Sequence, residues 1–592
     1  MDRDQDEKNG GGQPLLAASC SSATHHLSGQ PQHQDQRRPA PNAVDDAAPA
    51  SWASIPKKRQ LALITLARLC EAAATNSLQS YILFQLRSFK LADGSVPSQA
   101  TLAFQLSLLS AVVAGPQLFT SILWGRLADS RHVGRKGVIL VSLAGTGVGS
   151  LGMAFAGSFS AVVFWRLAVG LINGNLVVMR TMVKEIVGDE FESRTVLLLP
   201  TAFNVGSIIG PLLGGFLADP ATSKAEPFSG RDKAAQWLLR WPFALPNVFN
   251  GVCLVACAAL LAFGLEETLE GVRVRPARIL SKWAETLFRK RSQPCYRKLA
   301  EEGEPDGPAG SASSHGSREK RGPLMRVWTP RLAMTLLARA LLMMHVGAYP
   351  SLLLAFISTP RYDASSAGDK TTASANDSLV VPPDYHPSAP FTFTGGLSFK
   401  PSGIAMALTI RGIGGLVLQL LFFPRLKSAL GTIRLYRYSL LLFPLSYLVT
   451  PYLATISSST SPPLPAAGAL LWTAIALVLT IQTMARSFAL PSGTMLLNAA
   501  SPNRAALGTV NGIGQSVSAA ARTAGPLLAG WLYGVGLGHG VVGVAWWAFA
   551  AVAVSAAVAG GWVTTEDGVK SGQGKKRRAQ GDTRHDAEQR LC

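Results

Sequence analysis

Arg68 and Glu71 stand three residues apart in an apolar stretch from about Leu61 to Phe84, a spacing that puts them on one face of a helix. Charges at that depth in a membrane are costly, so both must face a protein interior or an aqueous cavity. A carboxyl beside a guanidinium in such a cavity can take up or release a proton according to what else occupies it. Glu71 is the only carboxylate deep in an apolar stretch, which makes it the candidate proton carrier, with Arg68 or Arg166 as its partner. The competing reading is a static ion pair that anchors the helix. Asn76, His345 and Arg486 lie at similar depth and complete the candidate coupling and cavity residues, although such groups commonly serve as helix–helix hydrogen bonds. Together with Arg339, Arg411 and Arg522, they leave an excess of buried arginine over carboxylate that favours an anionic or zwitterionic substrate over a cation.

The elements that must position these residues are long and apolar. The chain has 592 residues, 48% hydrophobic and 15% charged, well below the roughly 25% charged usual for soluble domains. The apolar residues gather in blocks of about 20, the length that spans a bilayer. Twelve such spans are predicted: 61–84, 102–123, a third ending near 155, 159–183, 196–217, 243–264, 332–357, 404–423, 436–453, 467–490, 507–533 and 541–563. The stretch GSIIGPLLGGFL (Gly206–Leu217) returns as GPLLAGWL (Gly525–Leu532), each in the fifth span of a run of six. Glycines four apart open a groove on one helix face, and Pro211 and Pro526 can bend their helices. The expectation is an all-α polytopic membrane protein made of two six-helix pseudo-symmetric bundles.

The formal charge of +20 would suggest nucleic-acid binding in a soluble chain, but here the lysines and arginines are sorted into particular loops. Lys57, Lys58 and Arg59 precede the first span, four basic residues follow the second, thirteen lie in the central linker and Lys575–Arg578 in the tail. The loop Ala218–Trp241 is an exception, with four basic residues balanced in part by acids. The ledger places both termini inside. It divides the chain into a disordered cytosolic tail (1–59), an N-terminal bundle (60–264), a cytosolic linker (265–330), a C-terminal bundle (331–564) with an extracytosolic loop (359–400), and a basic cytosolic tail (565–592). Asn376, in the only Asn-x-Ser/Thr sequon, lies in that outer loop and is a glycosylation candidate. The six cysteines are scattered, with no metal-ligand pattern and no disulfide framework. No metal site and no cofactor are expected.

Three motifs carry a resemblance to the major facilitator superfamily over about Leu61–Val563. Between spans two and three, Gly125, Asp129, Gly134, Arg135 and Lys136 resemble the family's conformational latch, with two extra residues between Asp129 and Gly134. The resemblance implies that Asp129 contacts a neighbouring helix terminus or arginine. In span four, RLAVGLINGN (Arg166–Asn175) is similar to the family motif of a buried arginine followed by glycines, linked there to proton coupling, although Arg166 could instead snorkel to water. Gly206, Gly210, Pro211, Gly214 and Gly215 match the fifth-helix pattern associated with antiporters, although close helix packing alone would account for it. RLCEAAATNSLQSYI, the EETL after span six, FALPSGTMLLNAASPN and LGTVNGIGQSVSAAARTAGP resemble the fungal and plant group with zinc-induced-facilitator-like and tetracycline-resistance-like proteins.

The resemblance implies a secondary active transporter, not an enzyme, which moves small organic molecules by proton-coupled antiport or export through alternating access. The alternatives are a facilitative carrier or symporter for a nutrient or metal chelate, and a non-transporting membrane sensor. The expected partners are a small-molecule substrate, protons and the lipid bilayer, with no nucleic acid. A monomer in the plasma or vacuolar membrane is expected.

Overall fold

The computed structural model describes residues 57–91, 94–187, 195, 197–218, 237, 240–269, 328–363, 385–388, 390–501 and 507–563. The N-terminal tail, the loop 219–236, most of the linker, Asn376 and the C-terminal tail lie outside the described residues.

Helices α1 (Lys58–Arg87), α2 (Gln99–Ala128), α3 (Gly134–Ala154), α4 (Phe159–Val187), α5 (Leu198–Leu217) and α6 (Ala244–Gly264) form the first half. The second half holds α7 (Pro330–Ser358), α8 (residues 401–430), α9 (residues 432–455), α10 (Ala469–Ala499), α11 (Leu507–Gly538) and α12 (Val544–Gly561). Among the described residues, nine stretches are long and apolar enough to cross a membrane, and one of them, Pro401–Thr455, holds both α8 and α9, which reverse at Gly431 with φ 74°. The less apolar α1 and α11 complete the twelve, and their polar residues are what the bundle interior needs. Among the described residues the only β feature is a single bridge, Ser388 to Thr392.

Local chemistry fixes several helix starts. Ser98, Ser158 and Thr329 cap α2, α4 and α7 by accepting the backbone N–H three residues on, which satisfies a donor the helix itself cannot. Helix α4 is unwound at Asn173, whose ψ of 92° is extended. The broken turn is not left unsatisfied. Ser142 Oγ donates to the Ile172 carbonyl at 2.6 Å and accepts from Gly174 N at 3.2 Å, while Trp124 Nε1 donates to the Leu171 carbonyl at 2.9 Å.

The repeated glycine motif does the same work in each half. A Cβ on Gly210 would strike the Ala73 backbone of α1, and one on Gly525 the Met344 backbone of α7. Five residues further along each motif the approach is to the other half. A Cβ on Gly215 would lie 2.6 Å from the Ala405 Cβ of α8, and one on Gly530 2.6 Å from the Ser107 Cβ of α2. Each fifth-position helix thus joins its own bundle to the opposite one through close backbone contact. At the end where α1 finishes, Leu83 and Leu86, Leu102 and Leu106, and Leu352–Ile357 of α7 merge into one buried apolar cluster that closes the interface between the halves.

Candidate functional site

Helix α1 carries the site's charge pair. Arg68 Nη1 donates to Glu71 Oε2 at 2.7 Å, and the side chains are 13% and 6% exposed, so the pair is largely withdrawn from water. Asn173, at the unwound point of α4, offers its Nδ2 to Glu71 Oε1 at 3.5 Å. The break in α4 therefore frees an amide to face the carboxylate, a position a continuous helix would turn elsewhere. Helix α5 supplies the floor. Gly206 lets α5 approach the Leu69–Ala73 backbone, and Phe203 then lies under the Arg68 guanidinium, 4.9 Å from its ring centre. Arg486 of α10 reaches the same ring at 5.9 Å, which brings a residue of the second half to the site.

One turn further along α1, Thr75 Oγ1 donates to the Glu71 carbonyl, and Thr75 is exposed although it lies mid-helix. It borders a cavity of about 60 Å³ between α1, α2, α4 and α7, lined in its polar part by Thr75, Gln79, Ser110, Arg166 and Ser351. Arg166 faces this cavity rather than Glu71, and its Nε is shielded from solvent without a hydrogen-bond partner among the described residues. Of the two expected partners for Glu71, the structure pairs it with Arg68. Arg166 sits about a turn further along, level with Thr75 and Gln79, and forms no ion pair among the described residues.

Two further expected members stand apart. Asn76 donates to the Ala72 carbonyl of its own helix at 2.8 Å, on a different face from Glu71. His345 is fully buried in the second half, edge-on to Phe443 and Tyr447, with Tyr447 Oη donating to the His345 carbonyl at 2.7 Å. It belongs to an aromatic core and does not line the cavity.

The loop between α2 and α3 forms a charge cluster. Gly134 opens α3 with φ 68°, a conformation glycine adopts freely. Arg135 lies 3.8 Å from Asp129 and pairs with Glu185 at the end of α4. The sequence missed the other half of the cluster. Glu267, in the EETL after α6, accepts from Arg135 N at 3.0 Å and Lys136 N at 2.9 Å, so a carboxylate caps the positive end of α3. Lys136 Nζ reaches back to the Ala262 carbonyl at 2.7 Å and ties α3 to α6 again. Gly125 has open space where a Cβ would stand. The EETL stretch was the available signal, but nothing in it indicated which helix terminus it would meet.

Known proteins place this arrangement. The chain is 27% identical over 548 residues to the Major facilitator superfamily multidrug transporter mfsB of Aspergillus fumigatus, covering 86% of this chain and 84% of that one. It is 23% identical over 477 residues to Protein ZINC INDUCED FACILITATOR 1 of Arabidopsis thaliana, covering 80% and 84%. The solved structure of a D-xylose-proton symporter superposes with a TM-score of 0.55 at 13% identity, over 86% of this chain and 98% of that one, which is a likeness of fold. The sequence model of the Major Facilitator Superfamily matches residues 64–376, more than half the chain. With twelve helices in two repeated halves, the protein belongs to the Major Facilitator Superfamily and is an integral, multi-pass membrane transporter, not an enzyme.

Proposed function

We propose that the protein exports small organic molecules in exchange for protons, by alternating access, with Glu71 as the site where the proton is carried. The observation that carries this reading is the Arg68–Glu71 pair, held at 2.7 Å one turn from a cavity between the halves. Protonation of Glu71 would release Arg68, and a substrate entering beside Thr75 would favour one state of the pair over the other. A cavity of about 60 Å³ is small against the roughly 300–1,000 Å³ of typical ligand sites, so a whole substrate needs the halves to separate. Since a buried apolar cluster closes the end where α1 finishes, the proposed route of substrate entry in this state runs from the end where α1 begins. With the basic loops inside, that end faces the cytosol, and the linker and both tails are cytosolic. The name of the A. fumigatus relative, a multidrug transporter, agrees with an organic substrate. The plasma membrane and the vacuolar membrane both suit such a transporter.

The test is reconstitution of the full chain into liposomes loaded with a pH-sensitive dye. A panel of amphipathic drugs, organic anions and metal chelates is added under an imposed proton gradient, with wild type and Glu71→Gln side by side. Substrate-dependent proton movement that disappears in the variant is the expected result. Substrate movement without proton flux in both proteins would instead identify a facilitative carrier and leave Glu71 as a structural ion pair.

A further inference from the structure

The cavity beside the Arg68–Glu71 pair has a chemical character of its own. Its one charged lining residue is Arg166, and no carboxylate lines it. The Arg166 Nε is shielded from solvent and has no hydrogen-bond partner among the described residues, so a buried donor is left waiting for an acceptor. None of the cavity hydroxyls accepts a hydrogen bond from it. Thr75, Ser110 and Ser351 each give their proton to a carbonyl of their own helix, to Glu71 O, Leu106 O and Ala348 O.

Gln79 adds a second donor. Arg411 of α8 gives its Nη2 to Gln79 Oε1 at 3.4 Å, which fixes the amide with its NH₂ as the end free to donate. Arg411 also brings a second guanidinium behind the cavity wall. Two cationic groups and an oriented amide, with no protein counter-ion in the lining, make a place for a compact anion. A volume of about 60 Å³ accommodates a group the size of a few water molecules, that is, a carboxylate or sulfonate rather than a whole organic molecule.

Resting on the proposed proton-coupled export, we infer that Arg166 and Gln79 form the subsite for the anionic group of an organic-acid substrate. Glu71, Thr75 and Gln79 are four residues apart in succession, so the proton site and the anion subsite occupy one face of α1. Substrate charge and proton occupancy are then linked through a single helix.

Thermal unfolding of the purified full-length protein in detergent tests the subsite without any proton gradient. The probes are benzoate, benzenesulfonate and phenylphosphonate, with benzylamine and choline as cations, at matched millimolar concentrations. The anions are expected to raise Tm and the amines to leave it unchanged. Arg166→Gln and Gln79→Leu should each weaken the anion effect by about tenfold or more in concentration, with Arg166→Lys recovering part of it. Gln79→Leu keeps the charge inventory intact and serves if Arg166→Gln does not fold. The inference is overturned if amines stabilise as well as anions, if no anion shifts Tm, or if the anion effect survives undiminished in both variants. Loss of dye-detected proton movement with anion stabilisation intact would remove the coupling and leave the subsite standing.

Discussion

The first and second halves build the same corner from different residues. Leu66-Ala67-Arg68 of α1 returns as Leu337-Ala338-Arg339 in α7, which sets Leu342 where the first half has Glu71. Seven residues before the motif glycines Gly210 and Gly525, α5 offers Phe203 and α11 offers Ser518. In the first half the arginine bonds a carboxylate and covers an aromatic ring. In the second, Arg339 Nε donates to Ser518 Oγ at 2.8 Å and to the Gly514 carbonyl at 3.3 Å, and among the described residues it has no acidic partner. Both guanidiniums find an acceptor, but only the first finds one that can bind a proton. The repeat therefore supplies two equivalent clamps between the first and fifth helices of each half, and an acid in place of a leucine gives one clamp a carboxylate that the other lacks.

The steepest way to break the comparison acts on both halves alike. Gly210→Leu and Gly525→Leu each drive a side chain into the backbone of the facing helix, and neither is expected to yield monodisperse protein on gel filtration. Next come the arginines, which should separate the halves. Arg68→Leu strands the Glu71 carboxylate and should cost about 3 kcal/mol in reversible unfolding in mixed micelles. Arg339→Leu removes bonds to neutral acceptors, with Ser518 still donating to the Gly514 carbonyl, and should cost about 1–2 kcal/mol. Adding Glu71→Leu to Arg68→Leu should recover most of the loss, because the pair rather than the carboxylate alone tolerates burial. Equal costs for Arg68→Leu and Arg339→Leu, with no recovery in the double variant, would mean that the two corners are energetically the same. The smallest effect is expected from the aromatic floor. Phe203→Ala should lower stability by the packing loss plus about 1 kcal/mol of cation–π attraction, and conversion to Leu isolates the second part.

Much of the fold could be read from the chain because membrane helices announce themselves by length and apolarity, a local property. The expected fifth span, 196–217, and sixth, 243–264, agree with Leu198–Leu217 and Ala244–Gly264. The tenth span, expected to end near 490, runs on to Ala499, since Pro491 lies within a continuous helix and the polar turn beyond it stays helical. The i,i+3 spacing placed Arg68 and Glu71 on one helix face, a local property, but left Arg166 open as the alternative partner; the structure pairs Glu71 with Arg68. The partners that arrive from elsewhere were not foreseeable. Phe203 under Arg68, Asn173 beside Glu71 and Glu267 on the start of α3 depend on which helix faces meet, a matter settled by glycine contacts distant in sequence. His345 shows the reverse. Its residue type suggested a titrating role at the cavity, while Phe443, Tyr447 and the neighbouring Trp546, drawn from α9 and α12, enclose it in the core.

The central claim is that Glu71 carries the proton and is not merely half of an ion pair. Substrate counterflow across proteoliposomes requires the halves to move but needs no net proton transfer, whereas accumulation against a gradient requires both. Glu71→Gln should retain counterflow at a rate within about tenfold of wild type and lose pH-driven accumulation altogether. Loss of both activities together would show that the residue holds the helices in place, and retention of both would show that the proton travels elsewhere.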